Sequence, residues 1–181
     1  MVNSNLENYL PYGKHSISNE DVAEVLSVLK SKNLTQGEYV PRFEKEISRK
    51  VNAKYAVAVN SATSALHLAC LALNVTNGDY VWTSPISFVA SANCALYCGA
   101  KVDFVDIDPF SGLININSLR EKLEKAKKNN CLPKVLIPVH LAGSSCNMLE
   151  INLLAKQYNF LIIEDASHAI GGRLNNEPVG N

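Results

Sequence analysis

From Tyr55 to the end of the chain, short apolar or β-branched runs alternate with longer segments of helical spacing, and this alternation restricts the fold more than any other feature. The runs lie at 55–59, 80–83, 101–107, 134–139 and 160–164. The helical segments lie at 62–73, 87–98 with Gly99 as a C-terminal stop, 115–128 and 147–158. Strands joined through helices pair in parallel. These runs are apolar throughout rather than alternating, as strands covered on both faces should be. The expectation is an α/β fold, a three-layer arrangement around a mostly parallel sheet.

Upstream, SNEDVAEVLSVLKSKN predicts an amphipathic helix with Ser18 as N-cap and Val22, Val25, Leu26 and Leu29 on one stripe. A turn-like LTQGEYVP follows, and Pro41 fits the first position of a second helix carrying Phe43 and Ile47. Residues 1–50 therefore read as an N-terminal helical segment and 51–181 as the sheet-bearing part. The run REKLEKAKKNN interleaves Glu121 and Glu124 with lysines and reads as a solvated helix face.

A chain of 181 residues with 47% hydrophobic content suits one well-cored domain. Its 17 basic and 17 acidic residues cancel, so no net field draws it to nucleic acid or an anionic membrane. No apolar segment approaches the about 18 residues of a membrane helix, and MVNSNLENYL lacks the basic start and apolar core of a signal peptide. A cytoplasmic protein is expected. The 5 cysteines (Cys70, Cys94, Cys98, Cys131 and Cys146) include no CxxC pair and suit free thiols in a reducing compartment. Cys94 and Cys98 share a helix face without a second ligand pair, so they read as packing residues and no metal is expected.

In open α/β sheets ligands sit outside the carboxyl ends of the strands, so the residues following each run are the candidates for chemistry. In YAVAVNSATSALHLA the run passes through Asn60 and Ser61 into Ala62, Thr63 and Ser64 at a helix start. Small hydroxylated residues there leave N–H groups and hydroxyls open to an anion, and the helix dipole adds partial positive charge. Plain N-capping accounts for the same residues, and both readings stand. Neither GxGxxG nor GK[ST] is present, which argues against dinucleotide and nucleoside-triphosphate sites.

The other unusual end is FLIIEDASHAIGG, where a buried run delivers Glu164 and Asp165, with His168 shortly after. A buried carboxylate is costly without a cationic partner. Arg173 in a structural ion pair is one candidate for Asp165, and a cationic ligand is the other. His168 alone reads as a core or capping histidine. Together the two ends ask for a ligand with a phosphate at one extremity and a protonatable ring nitrogen at the other. Pyridoxal 5'-phosphate (PLP) meets both demands, since an acidic side chain on its pyridinium nitrogen keeps the ring cationic and electron-withdrawing. WTSPISFVASANCAL adds Phe88, which either stacks on such a ring or belongs to the core.

Through PYGKHSIS, LTQG, NSATSALHLA, TSPISFVASANC, GAKVDFVDID, PVHLAG and EDASHAIGG, in order and spacing, the chain resembles the sugar aminotransferases of the DegT/DnrJ/EryC1/StrS family. These have the fold of the aspartate aminotransferase class of PLP-dependent transferases. The stretch TSPISFVASANCALYCGAKVDFVDID is most similar to the members that move an amino group from glutamate to C4 of a UDP-linked 4-keto-6-deoxy amino sugar in pseudaminic acid biosynthesis. The resemblance implies that Asp165 pairs with the pyridinium nitrogen, His168 lies near the phenolic oxygen, Phe88 stacks on the ring, and Ala62, Thr63 and Ser64 hold the phosphate. Tyr12 and the Thr35-Gln36-Gly37 loop are similar to segments lining the substrate cleft, and a homodimer is implied. Glu164, on the opposite side of the strand, reads as structural.

The same resemblance implies a Schiff-base lysine a few dozen residues after EDASHA, beyond Asn181. The 13 lysines present lie at helix surfaces, turns or strand starts. The expectation is the N-terminal part of an enzyme, incomplete in its large domain, lacking its small domain, and inactive alone. Two alternatives stand beside the transaminase: a sugar dehydrase of the same family, in which a histidine replaces that lysine, and a non-catalytic binding or assembly module.

Overall fold

The computed structural model describes residues 14–180. The chain divides into two units, the first ending at Arg42 and the second beginning at Phe43. In the first unit, helix α1 (Asn19–Leu29) opens on the expected cap: Asp21 N–H donates to Ser18 Oγ at 3.2 Å, and Ser18 N–H donates to the Asp21 carboxylate at 2.7 Å. Its apolar stripe forms but is not covered by described residues, and Val25 is 60% exposed. Helix α2 (Tyr39–Val51) begins two residues before Pro41. Pro41 is thus the third helical residue rather than the first, still within the turn whose N–H groups have no intrahelical acceptor.

The second unit is built on four parallel strands, β1 (Tyr80–Thr83), β2 (Lys101–Phe104), β3 (Val135–Ile137) and β4 (Leu161–Ile162), in the order β2-β1-β3-β4. Helices α3 (Ala62–Ala72), α4 (Ala90–Tyr97), α5 (Ile116–Lys128) and α6 (Met148–Tyr158) fall where the spacing predicts them, although α4 begins at Ala90 rather than 87. Gly99, at φ +76°, ends α4 in the left-handed conformation open to glycine.

Because side chains alternate across a strand, each central strand feeds two cores. Val81, Val135 and Ile137 join Leu66 and Cys70 of α3 and Cys94 and Ala95 of α4. Trp82 and Leu136 join Leu119 and Leu123 of α5 and Ile151 and Leu154 of α6. The result is the expected α/β/α three-layer arrangement. The neighbouring Cys94 sulfur and burial both push the Cys70 thiol well above its ordinary range, so it packs as an apolar group.

One expected strand is missing. Residues 55–59 form no ladder with any described residue, and Tyr55 and Val57 are 76% and 80% exposed. A run acquires strand character only by pairing, and these residues find no partner edge. Conversely, a small antiparallel hairpin went unforeseen. β5 (Arg173–Leu174) and β6 (Glu177–Pro178) are joined by Asn175 and Asn176 at φ 49° and 70°, the left-handed turn in which asparagine is favoured.

Candidate cofactor site

The strand order reverses beside β1: the chain leaves β1 for β2 on one flank and returns to β3 on the other. In open α/β sheets ligands bind at the carboxyl edge beside such a reversal, and Asp165 stands at that edge. Asp165 extends the β4 edge through a parallel bridge to Val139, with its N–H donating to Pro138 O at 2.9 Å and its carbonyl accepting from His140 N–H at 3.0 Å.

The Asp165 side chain is buried, 6% exposed, yet no described cation meets it. Arg173 is not its partner; that guanidinium donates to Asn176 O within the hairpin at 2.7 Å. The carboxylate is instead held by neutral donors. Ser91 Oγ donates to Oδ2 at 2.6 Å, while Ser167 Oγ and N–H donate to Oδ1 at 2.6 and 3.3 Å. Since the Ser91 proton is committed to Asp165, Ser87 Oγ donates in turn to Ser91 Oγ at 3.0 Å. A carboxylate offers about four acceptor positions, so one position on Oδ2 stays open to a further donor. Neither serine was singled out from sequence: Ser91 lies in a helix 74 positions away, and no spacing rule links it to Asp165.

At the start of α3, Ser61 caps by accepting from Ser64 N–H at 3.2 Å, and Ser64 Oγ donates to Asn60 Oδ1 at 2.7 Å. Capping therefore consumes Ser64, one of the residues expected to hold phosphate. The N–H groups of Ala62 and Thr63, the first two of the helix, have no acceptor among the described residues. Ser61 thus caps the helix, as plain N-capping requires, while the two amides before Ser64 are left without an acceptor among the described residues. A further buried hydroxyl, Ser84 Oγ, follows β1 at the same sheet edge and has no partner among the described residues. α3 and α4 share one core, so the helix presenting the free amides is packed on the helix carrying Ser91.

Phe88 is 72% exposed, which removes the core reading and leaves its ring faces free. It lies two residues before α4, and its carbonyl accepts from Ser91 N–H at 3.2 Å. His168 is likewise exposed, in the turn after Asp165, and makes no side-chain hydrogen bond among the described residues; it is neither a core nor a capping histidine. In the first unit, Gly37 lines a cavity of about 210 Å³ with Ser31 and Tyr39, and a Cβ at Gly37 would lie 2.9 Å from Asn33 O. Thr35 and Gln36 are exposed beside it, with Gln36 at φ 53°, and Tyr12 lies outside the described residues.

Glu164 leaves the strand on the other side and meets a residue the sequence reading missed. His140 is fully buried; its Nδ1 accepts from Cys146 N–H at 3.0 Å, so Nε2 carries the proton and donates to Glu164 Oε2 at 2.8 Å. Cavities of about 410 and 320 Å³ open on this side, lined by Asn152, Glu164 and Gly180. Asp165 and Phe88 line neither. Among the described residues no cluster of His, Cys, Asp and Glu could hold a metal ion, and no helix is long and apolar enough to cross a membrane.

The chemistry of these groups fits PLP: free amides for a phosphate, an exposed aromatic residue, and a buried carboxylate with a free acceptor position and no cation on it among the described residues. Comparison with known proteins agrees. A transaminase of Campylobacter jejuni subsp. jejuni serotype O:2, named for UDP-4-amino-4,6-dideoxy-N-acetyl-beta-L-altrosamine, is 42% identical over 171 residues, covering 94% of this chain and 44% of its own. PseC of Helicobacter pylori, an aminotransferase involved in the biosynthesis of pseudoaminic acid, superposes with a TM-score of 0.82 at 34% identity, over 94% of this chain and 44% of that one. Spr1654 of Streptococcus pneumoniae, solved in a PLP form, superposes with a TM-score of 0.83 at 26% identity, over 94% and 46%. The chain spans between 40% and 44% of the length of the curated relatives it matches. The family model described as the DegT/DnrJ/EryC1/StrS aminotransferase family matches residues 15–181, and the chain belongs to that family.

Proposed function

We propose that this chain forms the cofactor-binding part of a PLP-dependent aminotransferase that moves an amino group from glutamate to C4 of a UDP-linked 4-keto-6-deoxy amino sugar, in pseudaminic acid or surface polysaccharide biosynthesis. The enzyme works in the cytoplasm as a homodimer. The observation that carries the reading is Asp165: a buried carboxylate held by three neutral donors, with no described cation. In the relatives, names give the sugar and the reaction.

When bound, PLP supplies an electron sink for the amino transfer. Asp165 would hold the proton on the ring nitrogen, and the Ala62 and Thr63 amides, with the Thr63 hydroxyl, would bind the phosphate. Phe88 would stack on the ring, and His168 would stand near the phenolic oxygen. Tyr12, Thr35, Gln36 and Gly37 contribute to the sugar-nucleotide cleft.

The Schiff-base lysine comes from outside these 181 residues. Within the second unit, Lys101 and Lys134 stand at the amino ends of strands, and Lys134 is bound to Asp79 at 2.8 Å. The others lie on helices or, as Lys54 does, before the 55–59 run. Reduction with borohydride after incubation with PLP, followed by intact mass measurement, should yield no stoichiometric adduct on this chain alone; a single-site pyridoxyl adduct sinks that part of the reading. The activity is tested with the protein expressed from its own gene, UDP-linked 4-keto hexoses and glutamate. Release of 2-oxoglutarate is expected, and its loss in Asp165→Asn is required.

A further inference from the structure

We propose that His140 is a positioning residue for the cofactor contact. Held as the neutral Nε2–H tautomer, it fixes the end of β4 so that Asp165 presents its open acceptor position to the ring nitrogen. This rests on the reading of Asp165 given above and adds a residue that touches neither cofactor nor substrate.

The geometry is that of a clamp. The Asp165 peptide is bracketed by the segment just after β3, donating to Pro138 O and accepting from His140 N–H at 2.9 and 3.0 Å. The ring of the same His140 then bonds to Glu164, the residue before Asp165, at 2.8 Å. On its far side the ring accepts from Cys146 N–H at 3.0 Å, which ties down the loop after β3. That loop abuts the turn following Asp165: a Cβ on Gly143, at φ +86°, would lie 3.0 Å from His168 O. One fully buried ring thus joins the strand end, the residue ahead of Asp165 and the loop beside the turn that carries Ser167 and His168.

The tautomer matters because the two contacts are of opposite sense. Cys146 N–H demands an acceptor and the Glu164 carboxylate demands a donor, and a neutral imidazole supplies one of each. Asparagine reproduces the acceptor only and glutamine the donor only. An aliphatic residue would fill the volume but leave the Glu164 carboxylate and the Cys146 N–H without their partner, so filling space is not the ring's whole contribution.

The test compares PLP with its 1-deaza analogue, in which C–H replaces the ring nitrogen, by equilibrium titration of purified wild type, His140→Ala and His140→Asn. Wild type should bind PLP more tightly than the analogue. In His140→Ala, PLP affinity should fall about tenfold while affinity for the analogue is unchanged, because only PLP uses the charge-assisted contact with Asp165. In an Asp165→Asn background, His140→Ala should cost PLP nothing further. Long-range ¹H–¹⁵N spectra of the wild type should show Nδ1 unprotonated and Nε2 protonated.

Equal losses for PLP and analogue in a folded variant, additivity with Asp165→Asn, or the opposite tautomer each overturn the proposal. Should His140→Ala fail to fold, His140→Asn, which keeps the acceptor for Cys146, is read against the same outcomes. A wild type that does not distinguish PLP from the analogue overturns the assignment of Asp165 and this inference with it, whereas discrimination that survives His140→Ala overturns the inference alone.

Discussion

Two apolar runs of similar length and composition, VLIPV at 135–139 and YAVAV at 55–59, meet opposite fates. The first is the centre of the sheet, with Val135, Leu136 and Ile137 fully buried between two helical layers. The second leads directly into the free amides of α3 yet pairs with no described strand, and Val57 is 80% exposed. Composition and spacing are alike in both, so strand formation here depends on an available edge and a covered face rather than on the run itself. One end of the candidate site is thus anchored in a packed core, while the other is reached through a run that packing does not hold.

Truncating the buried run should give the largest effect. Leu136→Ala opens a hole between α5 and α6, and urea denaturation should register a loss of about 3 kcal/mol. Less than 1 kcal/mol would mean that the two runs are energetically equivalent after all.

Alkaline pH probes the same packed end through Cys146, whose sulfur sits against Val139 O at 3.2 Å. Burial pushes its thiol up from 9.0 to about 11, with the Glu164 charge adding and the Ile114 N–H opposing. The folded-state value lies above the unfolded one, so stability is intact below pH 9 and falls as pH rises toward 11. The fall should be about 2–3 kcal/mol. Cys146→Ala should flatten that limb; an unchanged pH dependence would assign it to other groups.

Ser91→Ala removes one of the donors to Asp165 without touching the sheet. A loss of about 1–2 kcal/mol is expected for a buried carboxylate deprived of a hydrogen bond. No change in stability would show that water takes the serine's place and that the carboxylate is less enclosed than its burial implies.

The smallest effect belongs to the unpaired run. Val57→Thr should shift the urea midpoint by less than about 0.5 kcal/mol. A loss like that of Leu136→Ala would reveal that 55–59 is covered in solution and would erase the contrast.

The residues differ in how far they could be read in advance. The Ser61 cap and the free amides of α3 were visible because both are local events within four residues of Ser61. Asp165 was visible because a carboxylate closing an apolar run is anomalous at any level of description. Its partners were not: Arg173, one candidate, lies near in sequence but bonds elsewhere, and although Ser167 stands two residues on, Ser91 arrives from another crossover helix. His140 escaped notice for the same reason. PVHLAG looks like a strand end with an incidental histidine until the Glu164 carboxylate and the Cys146 N–H are placed on either side of its ring.

Local chemistry, meaning the apolar runs, the Ser18 and Ser61 caps, the glycine stop at Gly99 and the acidic strand end, was settled by the order of residues alone, since each depends on groups a few bonds apart. Which run became a strand, which hydroxyls took up the Asp165 carboxylate, and which tautomer His140 adopts were decided only in the folded chain. Those outcomes depend on backbone segments far apart in sequence meeting at hydrogen-bond distance, and no periodicity along the chain encodes such meetings.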